Sequence, residues 1–489
     1  MRTPIKVVIL HYHLQRGGVT TVIGNACRAL AAENISACVI VGEKPPPDCG
    51  LNGTTLPELA YGAECEDIDD FYSRLKAAAR QLLGGEPDIW HIHNHSLGKN
   101  HVLPRLPSKL ADEGERVILQ PHDFAEDYRP ANYSQLRATL KAGDFERLYP
   151  HSARVHYALL NRRDLKFLRN AGIAPERLHM LPNAVEPFCA HRPIADEDSK
   201  GERPPLILYP TRAIRRKNIG ELLFWAATLK GRARFGLTLA PQNPRERPLY
   251  DRWVAFARKL DLPIEFELGA RCDLPNLVAA SRAVITTSLA EGFGLAFLEP
   301  WTAGRPVIGR RLVEITDDFT GMGIDLSACY DSLDVPLEWL GRKRVLDQIA
   351  AARARMLRMY GIAPQTQDME KVADSVQHGD KIDFGRLGEA LQREAIAFAA
   401  RQSAGFDPDQ LLNALPARNA IDANNEAIMR SLSMNRYAER LQNIYSRLMS
   451  APLATPEFMD PQGLLELFLQ PARFRMLLTE QSLDERGAQ

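Results

Sequence analysis

Short apolar runs alternate with helical patterns along most of the chain. In the first half, runs typical of buried strands lie at residues 5–10, 36–41, 88–93, 116–120 and 154–160. Helical periodicity follows the first two, at about 18–32 and 67–83. Strands that alternate with helices are typical of a parallel sheet covered on both faces. The first half is therefore predicted to be a doubly wound α/β domain.

The same alternation restarts after a polar, proline-bearing segment at 191–205, which has the composition of a linker. Further apolar runs that are predicted to be strands lie at residues 206–210, 235–240, 264–269, 283–288 and 306–309. Helical patterns separate them, from about 218, at about 246–260, near 273–281 and from about 295. A second doubly wound domain is therefore predicted. In such domains ligands bind at the carboxyl ends of the strands, so residues just after strands are the site candidates.

The pattern changes from about residue 320. Up to about 425 the sequence is charged and mostly helical in its periodicity, which we interpret as a helical insertion. A strongly amphipathic helix follows at 435–449, with one apolar stripe made of Tyr437, Leu441, Ile444, Tyr445 and Leu448. The predicted domains are 1–195, then 206–430 with an insertion at about 320–425, and then 431–489, helices that cross back to the N-terminal domain.

Composition narrows the class of protein. The chain has 489 residues, with 61 Lys plus Arg against 61 Asp plus Glu, so no net field favours nucleic acid as a partner. The 7 cysteines are scattered without a C-x-x-C pair, which indicates a reducing compartment. No apolar run approaches the ~20 residues of a membrane-spanning helix. We therefore expect a cytoplasmic protein. Peripheral membrane contact and the oligomeric state stay open.

A glycine pair follows the first predicted strand. In RGGV, residues 16–19, Gly17 and Gly18 stand where a helix begins. Glycines let backbone approach a ligand closely, and a helix N-terminus favours an anion such as a phosphate. A tight turn with no ligand explains the same residues equally well.

A basic segment follows the first strand of the second domain. PTRAIRRKNIGE, residues 210–221, places Arg212, Arg215, Arg216 and Lys217 beside a helix start. Arg212 and Lys217 can converge on one diphosphate from a loop. The alternative interpretation is a solvated basic turn.

A carboxylate pair lies in SLAEGFGLAFLEPWTAGRPVIG, residues 288–309. Glu291 precedes a glycine-rich turn, and Glu299 lies on the mostly apolar segment LAFLEPW, which is predicted to be helical. A carboxylate on an apolar helix needs a polar partner, and the hydroxyl groups of a sugar are suitable. The alternative is a structural cap and a salt bridge.

Glu291 and Glu299 resemble the E-x7-E motif of glycosyltransferase family 4, retaining transferases of the GT-B fold. RGGV is similar to the family's N-terminal glycine turn, and HDF at 122–124 is similar to its histidine after a strand. MLPNAVE at 180–186, which contains Asn183, is similar to its interdomain segment. The resemblance covers roughly 1–320 and the helix at 435–449; the long insertion departs from it.

The resemblance implies a hexosyl transfer from a nucleotide-diphosphate sugar to a hydroxyl acceptor, and we expect a UDP-linked donor. It implies no metal and no cofactor. Domain 206–430 would bind the donor, and domain 1–195 would lie on the acceptor side. Two rival functions are a GT-B sugar-nucleotide epimerase and a catalytically inactive GT-B scaffold. The intact motifs speak against both.

The resemblance also implies roles for individual residues. Glu299 would bind the donor ribose, and Arg212 with Lys217 would neutralise the diphosphate. His122 would line the donor sugar near the reacting carbon; with Asp123 it could instead form a general base and its orienter. Glu291 would bind the transferred sugar. The other residues expected to help bind the donor are Gly17, Gly18, Asn183 and the backbone amides of Gly292, Phe293, Gly294 and Leu295.

Alternating histidines mark the end of one first-domain strand, in the sequence HIHNH at 91–95. Alternate residues of a strand share a face, so three imidazoles could bind zinc. A structural role and a role as cleft-lining hydrogen bonders are the other interpretations. We expect His91 to be a core residue. The candidates for contact with an acceptor are His93, Asn94, His95, Lys99 and Asp127.

Overall fold

The computed structural model of the protein describes residues 4–15, 17–46, 50–188, 203–401 and 410–479. They divide into two units. Unit 1 comprises the described residues of Met1–Ala184 and Leu432–Gln470, and unit 2 comprises those of Val185–Ser431 and Pro471–Gln489. In the predicted linker, residues 191–202 lie outside the described residues. The last segment, from Pro471, groups with unit 2, whereas the whole of 431–489 was predicted to return to the N-terminal domain.

Unit 1 is built on a seven-stranded parallel sheet. Its strands, and a short β6 outside this sheet, are β1 (Lys6–His11), β2 (Ser36–Val41), β3 (Gly53–Thr55), β4 (Ile89–His93), β5 (Val117–Gln120), β6 (Pro150–His151), β7 (Val155–Leu159) and β8 (Leu178–Met180). The helices are α1 (Gly18–Ala32), α2 (Ile68–Leu83), α3 (Leu106–Asp112), α4 (Pro130–Thr139), α5 (Ala142–Glu146) and α6 (Arg162–Asn170). The strand order β3-β2-β1-β4-β5-β7-β8 reverses direction at β1, so a crevice is expected between the ends of β1 and β4.

Unit 2 contains a six-stranded parallel sheet in the order β11-β10-β9-β12-β13-β14. Its strands are β9 (Leu206–Arg212), β10 (Arg234–Leu239), β11 (Ile264–Glu265), β12 (Ala283–Thr286), β13 (Val307–Arg310) and β14 (Cys329–Tyr330). The accompanying helices are α7 (Ile219–Thr228), α8 (Arg247–Lys259), α9 (Leu274–Ala280), α10 (Glu299–Thr302) and α11 (Val313–Thr320). Here the order reverses between β9 and β12, which places a second crevice beside the loops that follow these strands.

Two predicted elements of unit 2 are shorter than expected. The strand predicted at 264–269 ends at Glu265, and a 3₁₀ turn at Leu268–Ala270 follows. The helix predicted from 295 is a 3₁₀ turn at Leu295–Phe297 followed by the four-residue α10. Pro300 explains the break, because it has no N–H to donate to the preceding turn.

The predicted insertion is mainly helical but also contains strands. Its helices are α12 (Arg342–Met359), α13 (Thr366–Val376) and α14 (Glu389–Ala399), and α15 (Gln410–Asn413) and α16 (Arg418–Leu432) follow. A three-stranded antiparallel sheet, unforeseen in the sequence, is formed by β15 (Asp334–Pro336), β16 (Gln377–His378) and β17 (Lys381–Asp383). Strands of two or three residues are too short to show a period. Helix α14 packs on α7, so the insertion is part of the unit's core.

The chain then returns to unit 1. The returning elements are α17 (Met434–Met449), β18 (Glu457–Phe458) and α18 (Pro461–Phe468), and α19 (Met476–Thr479) lies in unit 2. The predicted apolar stripe of α17 is confirmed, since all five of its residues are buried in the core beneath α1 and β1. Among the described helices, none is both long and apolar enough to cross a membrane.

Candidate functional site

The crevice of unit 2 contains a half-buried cluster of charges. The ammonium group of Lys217 donates to Glu291, and the Arg216 guanidinium lies 3.1 Å from the other oxygen of that carboxylate. Ser288 donates to Glu291 at 2.6 Å. Lys217 and Arg216 come from a 3₁₀ turn after β9, whereas Ser288 and Glu291 follow β12. The sheet therefore brings together two segments that lie about seventy residues apart in the sequence.

The electrostatics of the cluster keep Glu291 ionised. Burial alone would raise the pKa of Glu291, but the charges of Lys217 and Arg216 outweigh burial and bring it to about 2. Burial lowers the pKa of Lys217, and the neighbouring Arg216 adds to this effect, while Glu291 opposes it. A compact ion pair thus lies in a poorly solvated pocket, where charges interact strongly.

The arginines of this segment make different contacts. Arg216, which was given no donor role, pairs with Glu291 and also donates to the carbonyl of Ala290 at 2.9 Å. Arg212, the predicted partner of Lys217, ends β9 half-buried, and its guanidinium bonds to no other described side chain. Glu291 therefore forms the salt bridge of the structural alternative, and its role in binding a sugar stays a prediction.

The glycine-rich turn exposes backbone donors. Gly294 has φ 97°, a left-handed conformation that favours glycine, and the 3₁₀ turn begins directly after it. Within the described residues, the N–H groups of Phe293, Gly294 and Leu295 have no acceptor. The Phe293 ring is buried against Phe319, so only its backbone is available to a ligand. Three such N–H groups suit an anion or a sugar oxygen.

Glu299 begins α10 with a carboxylate that no other described residue neutralises. Burial raises the pKa of Glu299 to about 7, and the negative charge of Glu186 contributes. A buried carboxylate without a cation needs hydroxyl or N–H donors to stabilise its ionised form. The arrangement is suited to accepting hydrogen bonds from a diol such as ribose.

Replacing Glu299 by Gln is expected to stabilise unit 2 at pH 8 by about 2 kcal/mol. The raised pKa means that the neutral form stabilises the fold fully below about pH 4.5 and that this contribution is lost as the pH rises through 7. The gain should therefore shrink on acidification. Thermal unfolding of the variant at pH 8 and pH 5 measures this. Equal shifts in Tm at both values would show that Glu299 is not a buried acid.

Unit 1 places its glycine pair at the other crevice. Gly17 precedes α1 in extended backbone and Gly18 is the first residue of the helix; both are exposed. A Cβ added at Gly18 would meet no atom of the described residues within 4 Å, so no steric contact with them requires glycine there. Arg16 lies outside the described residues.

The histidines of β4 and of the segment after β5 form a buried stack. His93 lies between His91 and His122, with ring centroids 4.7 and 5.1 Å away. The Nδ1 atom of His93 and the Nε2 atom of His122 are 2.8 Å apart. His91 bonds to the hydroxyl of Tyr445 and to Gln120, which confirms that it is a core residue. Burial lowers the pKa of all three rings, to about 3 for His91 and about 4 for His122, so the stack is neutral at physiological pH.

Three candidates for acceptor contact are interior residues. His93, Asn94 and His95 are each 3% exposed or less, so they lie in the interior of unit 1. That they line the cleft and contact an acceptor stays a prediction. The Asn94 side chain accepts from the backbone N–H of His122 at 2.7 Å and so fixes that segment. Asn94 has φ 55°, which ends the strand alternation and turns His95 toward Tyr149 instead of the stack.

The remaining candidates have partners of their own within unit 1. Asp127 lies 3.5 Å from the guanidinium of Arg163, and the Lys99 ammonium lies over the ring of Tyr61.

Asn183 is buried, and its side-chain oxygen has no hydrogen bond within the described chain. That oxygen is available to a ligand or to water.

Two further sequence hypotheses concern the chemistry of the histidines. Asp123 pairs with Arg129 at 2.5 Å, while the His122 ring bonds to His93, so the general base and orienter pair is not seen. Among the described residues, no group of three His, Cys, Asp or Glu side chains is placed to hold a metal ion.

Sequence reasoning missed the supporting residues of the charge cluster. The hydroxyl oxygens of Ser288 and Tyr209 lie 3.1 Å apart, and Tyr209 donates to the carbonyl of Lys217. The run of Thr286, Thr287 and Ser288 at the end of an apolar strand was the available signal. Three hydroxyl groups at a strand end are unusual unless something polar lies beside them.

Two family models and one relative match most of the chain. Residues 16–187 match the family Glycosyltransferase Family 4, and residues 192–325 match Glycosyl transferases group 1. Mannosylglucosyl-3-phosphoglycerate synthase of Petrotoga mobilis is 29% identical over 423 residues, which cover 79% of each chain.

Solved structures show the same fold at low sequence identity. A glycosyltransferase from Rickettsia africae has a TM-score of 0.55 at 13% identity and covers 91% of this chain and 99% of its own. HepE of Anabaena, in complex with UDP, has a TM-score of 0.54 at 11% identity, with 90% and 100% covered. The sucrose-phosphate synthase from Thermosynechococcus elongatus has 0.52 at 14%, with 91% and 99% covered. With a Family 4 domain followed by a group 1 domain, each a doubly wound unit, the chain is a glycosyltransferase of the GT-B fold.

Proposed function

We propose that the protein is a retaining glycosyltransferase that moves a hexosyl unit from a nucleotide-diphosphate sugar to a hydroxyl acceptor. The observation that carries the proposal is the half-buried cluster of Lys217, Arg216 and Glu291, beside three backbone N–H groups that have no acceptor within the described part of the chain. UDP is the nucleotide we propose first, because the Anabaena neighbour was solved in complex with UDP.

The charges of the cluster match a diphosphate. Together with Arg212, which ends β9 just before the turn, Arg216 and Lys217 carry three positive charges, and Glu291 neutralises one of them. The surplus of two equals the charge of the diphosphate in a nucleotide sugar. As the glycosidic bond breaks, negative charge develops on the leaving diphosphate, and fixed cations stabilise it. We therefore propose that Lys217 is shared between Glu291 and the diphosphate when the donor binds.

The other site residues take roles around this cluster. Glu299 accepts hydrogen bonds from the ribose, and Glu291 binds the transferred sugar with the amides that follow it. We propose that Gly17, Gly18 and Asn183 also contact the donor, and that His122 lies near the reacting carbon. His122 suits this role as a neutral imidazole, because burial lowers its pKa to about 4. The cations supply the charge that a metal would otherwise provide.

The acceptor is proposed from the chemistry of a relative. The Petrotoga protein is named as a synthase of mannosylglucosyl-3-phosphoglycerate, a glycoside of a phosphorylated acid. We therefore propose to test glycosides of phosphoglycerate as acceptors, beside simple sugars. Lys99 is the candidate contact for an anionic acceptor, whereas Asp127 is already paired with Arg163. We propose a cytoplasmic location, where nucleotide sugars and reduced thiols occur together.

Titration with UDP, GDP, ADP and UDP-glucose tests the donor site. We expect micromolar binding of one nucleotide by calorimetry, unchanged by EDTA, and at least tenfold weaker in Arg212→Ala and Glu299→Ala. Loss of binding on addition of EDTA would contradict the metal-free proposal. If no nucleotide binds the unmodified protein, the donor assignment is wrong.

Product analysis separates transfer from epimerisation. With donor and acceptor present, NMR of the product should show the anomeric configuration of the donor. An epimerase would instead convert the sugar nucleotide without any acceptor.

A further inference from the structure

A buried polar chain links the insertion to the turn that carries Lys217. Asn218, the next residue, has φ 50° and begins α7. Its side-chain oxygen accepts from the Gln392 amide on α14 at 2.8 Å. Its side-chain nitrogen donates to Glu221 at 2.7 Å. Neither Asn218 nor Gln392 is exposed to solvent, so no water can replace this bond.

A second arm of the chain ends on the insertion's small sheet. Glu221 is fully buried and accepts from the Arg310 guanidinium at 2.8 Å. The same guanidinium donates to Asp383 on β17 at 2.6 and 3.1 Å. Arg310 itself is 1% exposed. Two residues of the insertion, Gln392 and Asp383, thus reach the Lys217 turn by separate routes.

The 3₁₀ turn at Arg215–Lys217 depends on these contacts, because three residues form too few internal hydrogen bonds to fix its conformation. The sheet restrains its backbone, since Thr287 donates to the carbonyls of Lys217 and Asn218 at 3.0 and 3.1 Å. The side chain of Asn218, however, bonds only to Glu221 and Gln392 among the described residues. A non-glycine residue in left-handed backbone persists only where its surroundings fix it.

We infer that the insertion is a positioning element for the donor site, in which Gln392 and Asp383 hold the turn that carries Lys217. Neither residue contacts the diphosphate in this scheme; they act through Asn218 and through Glu221 with Arg310. The inference rests on the proposed role of Lys217 in binding the diphosphate.

Gln392→Met is the variant that tests the inference, because methionine keeps the side-chain volume and removes the donor to Asn218. We expect about tenfold faster amide exchange at 215–221 and about tenfold weaker binding of the nucleoside diphosphate that the unmodified protein prefers. The matched control is Glu389→Gln, on the same helix, which loses the charge on a carboxylate paired with Arg252 at 2.8 and 2.9 Å. That control should change neither readout.

Unchanged exchange at 215–221 in Gln392→Met overturns the inference, and so does an equal effect in Glu389→Gln. If the variant does not fold, amide exchange of the unmodified protein tests the inference instead. Its amides at 215–221 and in the first turn of α14 should then exchange through one opening, with the same dependence on denaturant. Earlier exchange of the turn alone overturns the inference.

Amide exchange also separates this inference from the proposed function. If the unmodified protein binds none of UDP, GDP and ADP, the donor assignment fails, and faster exchange in Gln392→Met still shows that the insertion holds the turn. If a nucleotide binds equally well to the variant, the turn is not held for donor binding.

Discussion

Replacing Lys217 by Met is expected to lower kcat for glycosyl transfer by about 10²- to 10³-fold, the loss that follows removal of one preorganised transition-state donor. The ammonium group is fixed before any ligand arrives, because Glu291 holds it and Tyr209 and Thr287 fix its backbone carbonyl. Its charge is largely desolvated, which increases its effect on a leaving diphosphate. Initial rates at saturating donor measure the loss in kcat.

Two controls separate chemistry from general damage. Lys230→Met removes a lysine whose partner, Asp261, is a surface residue, so it should leave kcat unchanged. Calorimetry with the nucleoside diphosphate reports on the ground state. A fall in affinity with kcat unchanged would mean that Lys217 only binds the donor. A kcat within about threefold of the unmodified protein would remove Lys217 from the transition state.

Much of the architecture could be predicted because helices and buried strands show a local periodicity of apolar residues. The structure places α1 at Gly18–Ala32 and β2 at Ser36–Val41, as predicted. The short edge strands β3 and β8 and the small sheet of the insertion carry no such signal. Their existence depends on neighbours that pair with them, which no window of sequence contains.

The candidate site was predictable by residue type but not by pairing. Lys217 and Glu291 stood out as charges after strands, yet the ion pair between them depends on β9 lying next to β12. Glu291 pairs with Arg216 and not with Arg212, because the 3₁₀ turn, and not the strand end, faces Glu291. The joint role of Arg212 and Lys217 in binding a diphosphate stays a prediction. The three histidines do not share one face of the strand, for a local reason. Asn94 leaves the strand conformation, so the alternation stops before His95.

Arg310→Met is expected to destabilise unit 2 by about 3–5 kcal/mol, the cost of breaking a buried ion pair on one side. The substitution leaves Glu221 and Asp383 buried without their shared cation. In the native protein, burial opposes the ionisation of Asp383, but Arg310 reverses this effect and holds the pKa of Asp383 below its usual range. Asp383 therefore stabilises the fold above about pH 3.8, and this contribution is lost on further acidification.

In the Arg310→Met variant the sign should reverse, which calorimetric unfolding from pH 5 to pH 8 can show. Burial already raises the pKa of Glu221 in the native protein, and without the guanidinium it raises that pKa further. Asp383 keeps Arg475 at 3.8 Å but loses its nearest cation, so its pKa rises too. The folded state then takes up protons, and the deficit in Tm is largest at pH 8. Arg311→Met is the matched control, because the neighbouring arginine pairs with Asp331, whose side chain is 56% exposed. Its loss should be at most about 1 kcal/mol. Equal losses in the two variants, or a deficit in Arg310→Met that does not depend on pH, would mean that the carboxylates find other partners and that Arg310 does not hold the insertion against α7.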